Sequence, residues 1–348
     1  MLRDNDLPFR DFVEMALYHP QFGYYARRAQ PEVDYVTSPR LSPLFSTTLG
    51  RLVSEFLSRA GDVMSTVVDA GCGDGSLIYS LYEGLGASEP RSLGWYGVDR
   101  ALERLRPDLP AAIKFVRTID ELPREGAHLL FANELFDAFP FARLVQRDEH
   151  LHELWVTERD GALDWTEHEA PGPYEDYFAA RGIELQDGQF ADVSLDWDAY
   201  YRDVCRLVQR GLIVTFDYGM PQEQLFHSRV RRFGTAAAYR EQRVTRDLLA
   251  SPGEQDLTAH INFTDLIRAG EAAGFTTLFF DRQAKFLLAL GAAEDPILQT
   301  EPRSVAELAQ KENARRLLLP DGIGEDIRVL VQGRGLGDSN WSFQKKLY

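Results

Sequence analysis

Seven short runs in this chain are almost continuously apolar, rich in β-branched and aromatic residues, and mostly bounded by Gly or Asp. They are STVVDAG (65–71), GWYGVDR (94–100), IKFVRTI (113–119), HLLFANE (128–134), LIVTFDYG (212–219), TTLFFDR (276–282) and IRVLVQG (327–333). A strand wet on one face alternates apolar with polar residues, whereas a strand covered on both faces reads as a continuous apolar run, the pattern of parallel sheets. Helical pattern stands between several of the runs, and this repeated β-then-α order points to a doubly wound open sheet. The expected fold is α/β and Rossmann-like, with a seven-stranded, mostly parallel sheet. In such sheets ligands sit outside the carboxyl ends of the strands, so the residues just after each run are the candidates for function.

Four further pieces surround this frame. Residues 1–60 precede the first run and include the helical pattern PLFSTTLGRLVSEFLSR (43–59). The stretch 141–170 alternates and contains an Asp-Gly pair, the mark of an antiparallel meander or hairpin. Residues 220–262 are long, polar and punctuated by Pro and Gly, which fits either a functional lid or a disordered loop. Residues 283–320 read mostly as helix. The expected divisions are therefore an N-terminal region at 1–60, a ligand-binding half at 61–140, an inserted β-rich subdomain at 141–195, and a second half at 196–348 with a substrate-side insertion at 220–262.

The first run leads into VVDAGCGDGSL (67–77), which places Gly71, Gly73 and Gly75 in GxGxG spacing. A dinucleotide fingerprint needs GxGxxG, and its third position here is Ser76. Charge separates the two readings further. Asp69 at the strand end and Asp74 inside the loop would face the negative charges of a pyrophosphate at a cost of several kcal/mol. S-adenosylmethionine carries no phosphate and presents an ammonium and a sulfonium, both attracted by those carboxylates. Asp99, closing the second run, can accept hydrogen bonds from both ribose hydroxyls. Asp120, after the third run, can meet the adenine amino group through its side chain or nearby backbone. S-adenosylmethionine is thus the expected cofactor, and an NAD-dependent oxidoreductase is disfavoured.

Lys and Arg number 38 against 54 Asp and Glu, a formal net charge of −16 that repels phosphate backbones and anionic membranes. No nucleic acid partner is expected; a basic protein segment would be attracted, although acidity also simply serves solubility. No apolar run approaches the ~20 residues of a membrane span, so no membrane insertion is expected. Cys72 and Cys205, the two cysteines, match neither a metal spacing nor a disulfide framework. With no secretory or Arg-rich leader pattern in MLRDNDLPFRDF, the expected location is cytoplasmic.

With its DxGxGxG motif, the chain resembles class I methyltransferases and, more narrowly, the MidA family, which includes a mitochondrial complex I assembly factor that methylates protein arginine. The resemblance covers nearly the whole length. It is carried by PFRDFVEMALYHPQFGYY (8–25), DYVTSPRLSPLFSTTLGRLV (34–53), ANELFDAFPFARLV (132–145), FDYGM (216–220), PGEQDLTAHINF (252–263) and AKFLLALG (284–291). It implies that the N-terminal segment closes over the cofactor, with Tyr24, Tyr25, Thr37 and Ser38 as lid contacts. Val33, Arg40 and Asn262 depart from residues usual in the family.

Methyl transfer from a sulfonium is an in-line displacement, so the enzyme mainly aligns a nucleophile with the methyl carbon and excludes water. A guanidinium stays protonated and is a poor nucleophile, so an arginine acceptor needs carboxylates to orient and polarise it. The loop NELFDAFP supplies Glu134 and Asp137 for that task, with Asn133 near the methionine part of the cofactor. Asp137 reads equally as a helix or turn cap. An NPPY-type loop, used on amide and exocyclic amine nitrogens, is missing here, which counts against adenine and glutamine acceptors. His260 and Asp256 are candidates to line the acceptor channel, and a lone His also reads as a structural residue. Asp217 and Tyr218, near the end of the fifth run, read as channel residues or turn formers. The expected activity is S-adenosylmethionine-dependent methylation of arginine in a protein substrate. A cofactor-binding assembly factor without transferase activity and a small-molecule methyltransferase stay open beside it.

Overall fold

The computed structural model describes residues 6–27, 37–85, 93–320 and 322–344. Val33 and Asp34 lie outside the described residues. The chain divides into two compact units, one of residues 1–35, 136–198 and 219–264, the other of residues 36–135, 199–218 and 265–348.

The second unit holds the seven expected strands: β1 (Ser65–Ala70), β2 (Leu93–Val98), β3 (Ile113–Val116), β4 (Ala127–Asn133), β5 (Gly211–Met220, of which 211–218 belong here), β6 (Thr276–Arg282) and β7 (Ile327–Arg334). Their order across the sheet is β6-β7-β5-β4-β1-β2-β3. The pairs β1/β2, β2/β3, β1/β4 and β4/β5 are parallel, while β7 runs antiparallel to both β5 and β6. The strand order reverses between β1 and β4, the switch point at which ligands enter folds of this kind. Every residue of β1 is buried, as in a strand covered on both faces.

The Pro43–Ala60 helix starts cleanly because Ser42 accepts the N–H of Leu44 at its N-cap and Pro43 occupies the first turn. Its apolar face, including Phe45, Leu49, Leu52 and Phe56, joins Val67, Leu129, Phe131, Val214, Phe216 and Phe286 in one core. Phe216 sits at 5.2 Å from Phe45 and 5.6 Å from Phe286, both edge-on.

The other unit is β-rich. His150–Arg159 is flanked by Ala142–Arg147 and Ala162–Glu169, both antiparallel, and Phe190–Val193 and Leu7–Pro8 complete the five-stranded sheet. Asp160 (φ 52) and Gly161 (φ 81) form the expected Asp-Gly hairpin turn. Residues 220–262, read from sequence as a lid or a loop, instead build a second small sheet of Ala237–Arg240, Arg243–Thr245 and Asp256–Thr258. The Phe9–Tyr18 helix contributes Phe9, Phe12, Val13 and Leu17 to this unit's core.

Candidate active site

The chain leaves β1 through three glycines whose backbone lies in the left-handed region: Gly71 (φ 72), Gly73 (φ 56) and Gly75 (φ 83). That region is costly for side chains with a Cβ. The loop is tied down at its start, where the N–H groups of Gly71 and Cys72 both donate to Val98 O of β2, at 2.8 and 3.1 Å. A Cβ on Gly71 would stand 2.8 Å from Leu135 Cδ1, and one on Gly75 would press on Phe115 at 3.2 Å. At Gly73 nothing lies within 4 Å, so this glycine presents bare backbone to open space.

Asp99, at the end of β2, braces the loop: its Oδ2 accepts the N–H of Gly73 and its Oδ1 that of Ala101, each at 2.9 Å. Each oxygen keeps a further lone pair for a diol. Asp69 is 2% exposed and its Oδ2 has no partner among the described residues. Burial pushes its carboxyl to about 7, the charges of Asp99 and Asp74 add to the rise, and a hydrogen bond from the Ile78 backbone opposes it.

Asp74 plays a different part from the one its charge suggests. It caps the Ser76–Leu85 helix, accepting the N–H of Ser76 at 3.0 Å and its hydroxyl at 2.7 Å. It also pairs with Arg40. Burial works against its ionisation, yet these contacts with Ser76 and Arg40 hold its carboxyl below the usual range. Its charge is therefore largely spent within the protein, and Asp69 and Asp99 carry the attraction for a cation.

Asn133 and Glu134 end β4. Asn133 Nδ2 donates to Glu134 Oε1 at 3.3 Å, while Asn133 Oδ1 is buried without a partner among the described residues. Glu134 adopts φ 49, and its N–H donates to Phe216 O of β5 at 2.8 Å. Asp120, in contrast, has its side chain 74% exposed and paired with Arg124, so any role at an adenine falls to the backbone of that turn.

Thr37 heads the Ser38–Leu41 helix and makes no side-chain cap. Ser38 is fully buried and donates to Gln283 Oε1 at 3.0 Å. The short helix thus grips the glycine loop through Arg40 and the Gln283–Ala289 helix through Ser38. Gln283 is itself fully buried, with Nε2 unpartnered among the described residues. Sequence reading passed over it, although it immediately precedes the AKFLLALG run. Tyr200 was also passed over. Burial first, then the charges of Asp99, Cys72 and Asp69, push its phenol up.

The remaining candidates belong to the β-rich unit. The N–H of Ala259 donates to Asp137 O at 3.3 Å, which brings His260 next to the Asp137 turn. The His260 N–H donates to Thr235 Oγ1 at 3.1 Å, and His260 lines a small, partly open recess with Phe136, Phe139, Ser194, Trp197 and Asn262. Tyr25 donates to the buried Asp256 at 3.1 Å, and Asn262 donates to Tyr177 at 3.1 Å. Tyr24 is fully buried in the core of this unit.

A family profile described as "Putative S-adenosyl-L-methionine-dependent methyltransferase" matches residues 96–280. The chain belongs to this methyltransferase family. Two solved structures from Burkholderia thailandensis are similar over almost all of it. One is a COG1565 superfamily member bound to S-adenosyl-homocysteine, 30% identical, with a TM-score of 0.84 over 97% of this chain and 90% of the other. The second, an uncharacterized COG1565 superfamily protein in its native form, is 29% identical with a TM-score of 0.81 over 95% and 88%. No protein of curated function matches the chain.

S-adenosyl-L-methionine is accordingly the cofactor of this methyltransferase, and when bound it supplies an electrophilic methyl group on a sulfonium. The residues fit it. Gly73 offers an approach that any Cβ would fill, Asp99 offers acceptors for a ribose, and the orphaned oxygen of Asp69 calls for a donor or a cation.

Proposed function

We infer that this methyltransferase acts on an arginine in a basic segment of a protein, as the MidA resemblance implies, in a role like that of a respiratory complex I assembly factor. The supporting observation is the conformation of Glu134. A glutamate at φ 49 on the carboxyl end of a central strand is held against its backbone preference, and such strain, worth about 1–3 kcal/mol, tends to persist where a side chain must be aimed. In this role Glu134 orients the guanidinium fork by charge-assisted hydrogen bonds. Asn133 holds Glu134 through its amide and meets the methionine part of the cofactor. Asp69, Gly71, Gly73, Gly75, Asp99, Thr37 and Ser38 form the cofactor side.

Incubating a proteome with the protein and isotopically labelled S-adenosylmethionine, then mapping labelled peptides by mass spectrometry, tests the reading. Label on arginine within basic sequences is expected. Label found only in small molecules, or on residues other than arginine, overturns it.

A further inference from the structure

Residues 229–246 carry six arginines (Arg229, Arg231, Arg232, Arg240, Arg243 and Arg246) against a single acid, Glu241, in a chain of net charge −16. Arg240, Arg243 and Arg246 lie on or beside one hairpin of the β-rich unit. There Ala237–Arg240 pairs with Arg243–Thr245 on one side and with Asp256–Thr258 on the other. Arg243–Thr245 is therefore an edge strand, and all of its residues are exposed.

Local preferences oppose this strand in three ways. Its turn is made by Glu241 (φ 51) and Gln242 (φ 60), a primed turn that favours Asn-Gly rather than two long side chains. Arg240 stands directly opposite Arg243, and like charges in that relation destabilise a hairpin. Val244 is 62% exposed. Arg240 finds partners in Ser251 and Glu254, but among the described residues Arg243 and Arg246 form no ion pair. In a two-residue hairpin the closing pair exchanges both ladder bonds, so Val244, one step on, turns its own N–H and C=O to the open side.

We propose that the Arg243–Thr245 edge receives an extended acidic segment of a partner protein as an added β-strand. Its carboxylates would lie against Arg240, Arg243 and Arg246, and an apolar side chain would cover Val244. This one occupant supplies countercharge for the facing arginines, backbone partners for Val244 and cover for its side chain. A nucleic acid fits less well. The overall charge of −16 repels a long polyanion, and phosphates make no use of an open strand edge. The inference does not depend on which acceptor is methylated.

Fluorescence anisotropy of the full chain with a labelled peptide of about eight residues, the length of an ordinary strand, alternating Glu and Val, tests it. Saturable binding is expected. It should weaken at least about tenfold when alternate peptide nitrogens are methylated, and similarly in Arg243→Glu/Arg246→Glu, with cofactor affinity and Tm unchanged. The milder Arg243→Gln/Arg246→Gln should give an intermediate loss. No saturable binding up to about 1 mM, equal binding of the N-methylated peptide, tighter binding of an oligothymidylate of equal charge, or indifference to both double substitutions overturns it.

Discussion

Asp99 Oδ2 receives the N–H of Gly73 at 2.9 Å, so one carboxylate at the end of β2 shapes the glycine loop and, on the proposed reading, also serves the cofactor. Removing it should cost binding twice, through a looser loop and a lost acceptor for the ribose. A hydrogen bond to a charged group is worth about 1.5–3 kcal/mol. Asp99→Ala should therefore weaken S-adenosylmethionine binding by roughly 10- to 100-fold in calorimetry. Unchanged affinity would remove Asp99 from the cofactor side.

At Gly73 the backbone has φ 56 and no neighbour within 4 Å of a notional Cβ. Valine there clashes with nothing in the protein but must adopt a left-handed backbone, at about 1–2 kcal/mol. Gly73→Val should melt slightly earlier and lose cofactor binding by more than about a hundredfold, since its side chain fills the approach. Gly71→Ala makes the useful contrast: its Cβ meets Leu135 Cδ1 at 2.8 Å, so the damage should fall on stability.

The Asp69 carboxyl, raised from 3.8 to about 7 by burial, should give the proposed cofactor site a pH dependence. For an acid with a raised folded-state pKa, stability is untouched below the ordinary value. It falls as pH climbs through the interval and carries the whole penalty above about 7, on the order of 4 kcal/mol. A bound cation favours the ionised form, so binding should release a proton below that pH. S-adenosylmethionine affinity should drop about tenfold per unit of acidification below 7 and level off above it. Calorimetry in buffers of different ionisation enthalpy measures the released proton, and Asp69→Asn should flatten the profile. A flat profile in the unaltered protein would show that Asp69 does not titrate with the site.

The central strands β1, β4 and β5 were legible because burial on both faces writes a near-continuous apolar run into each, and ends such as Ala70 and Asn133 fall within a residue or so of those runs. Asp69 and Asp99 lie at the ends of β1 and β2 and Gly73 in the loop after β1, as the positions of the runs predict. What escaped was set by pairing between distant residues. The 237–258 sheet uses strands of three and four residues, too short to show a period, and its arginines read as loop. Residues 1–60 look like one N-terminal piece, but from Thr37 onward the described residues join the other unit, through packing that sequence does not display. Asp120 stands where a strand end predicts a ligand, yet the tight turn of Ile119–Glu121 leaves its side chain to solvent and Arg124.

Ser38 and Gln283, 245 positions apart, form a fully buried hydrogen bond. Ser38→Ala would leave the Gln283 amide with neither end satisfied, a cost of about 1–3 kcal/mol for a buried polar group. A double-mutant cycle with Gln283→Leu should show coupling, because the double variant leaves no orphaned group and is more stable than the sum of single losses predicts. Additive melting shifts would mean that the two side chains do not depend on each other.

Glu134 provides the sharpest test of the acceptor side, because two roles predict different kinetics. As an orienting carboxylate it acts on the guanidinium, so Glu134→Gln should keep cofactor affinity close to the original and lower kcat by on the order of a hundredfold or more. The left-handed backbone at φ 49 and the N–H bond to Phe216 O are main-chain features that glutamine preserves, so Tm should hardly move. Were the carboxylate there only to accept from Asn133, glutamine Oε1 could still accept and turnover would survive. Single-turnover rates on the unmethylated form of a peptide identified from the proteome separate these cases. Wild-type turnover in Glu134→Gln would take the orienting role away from this residue.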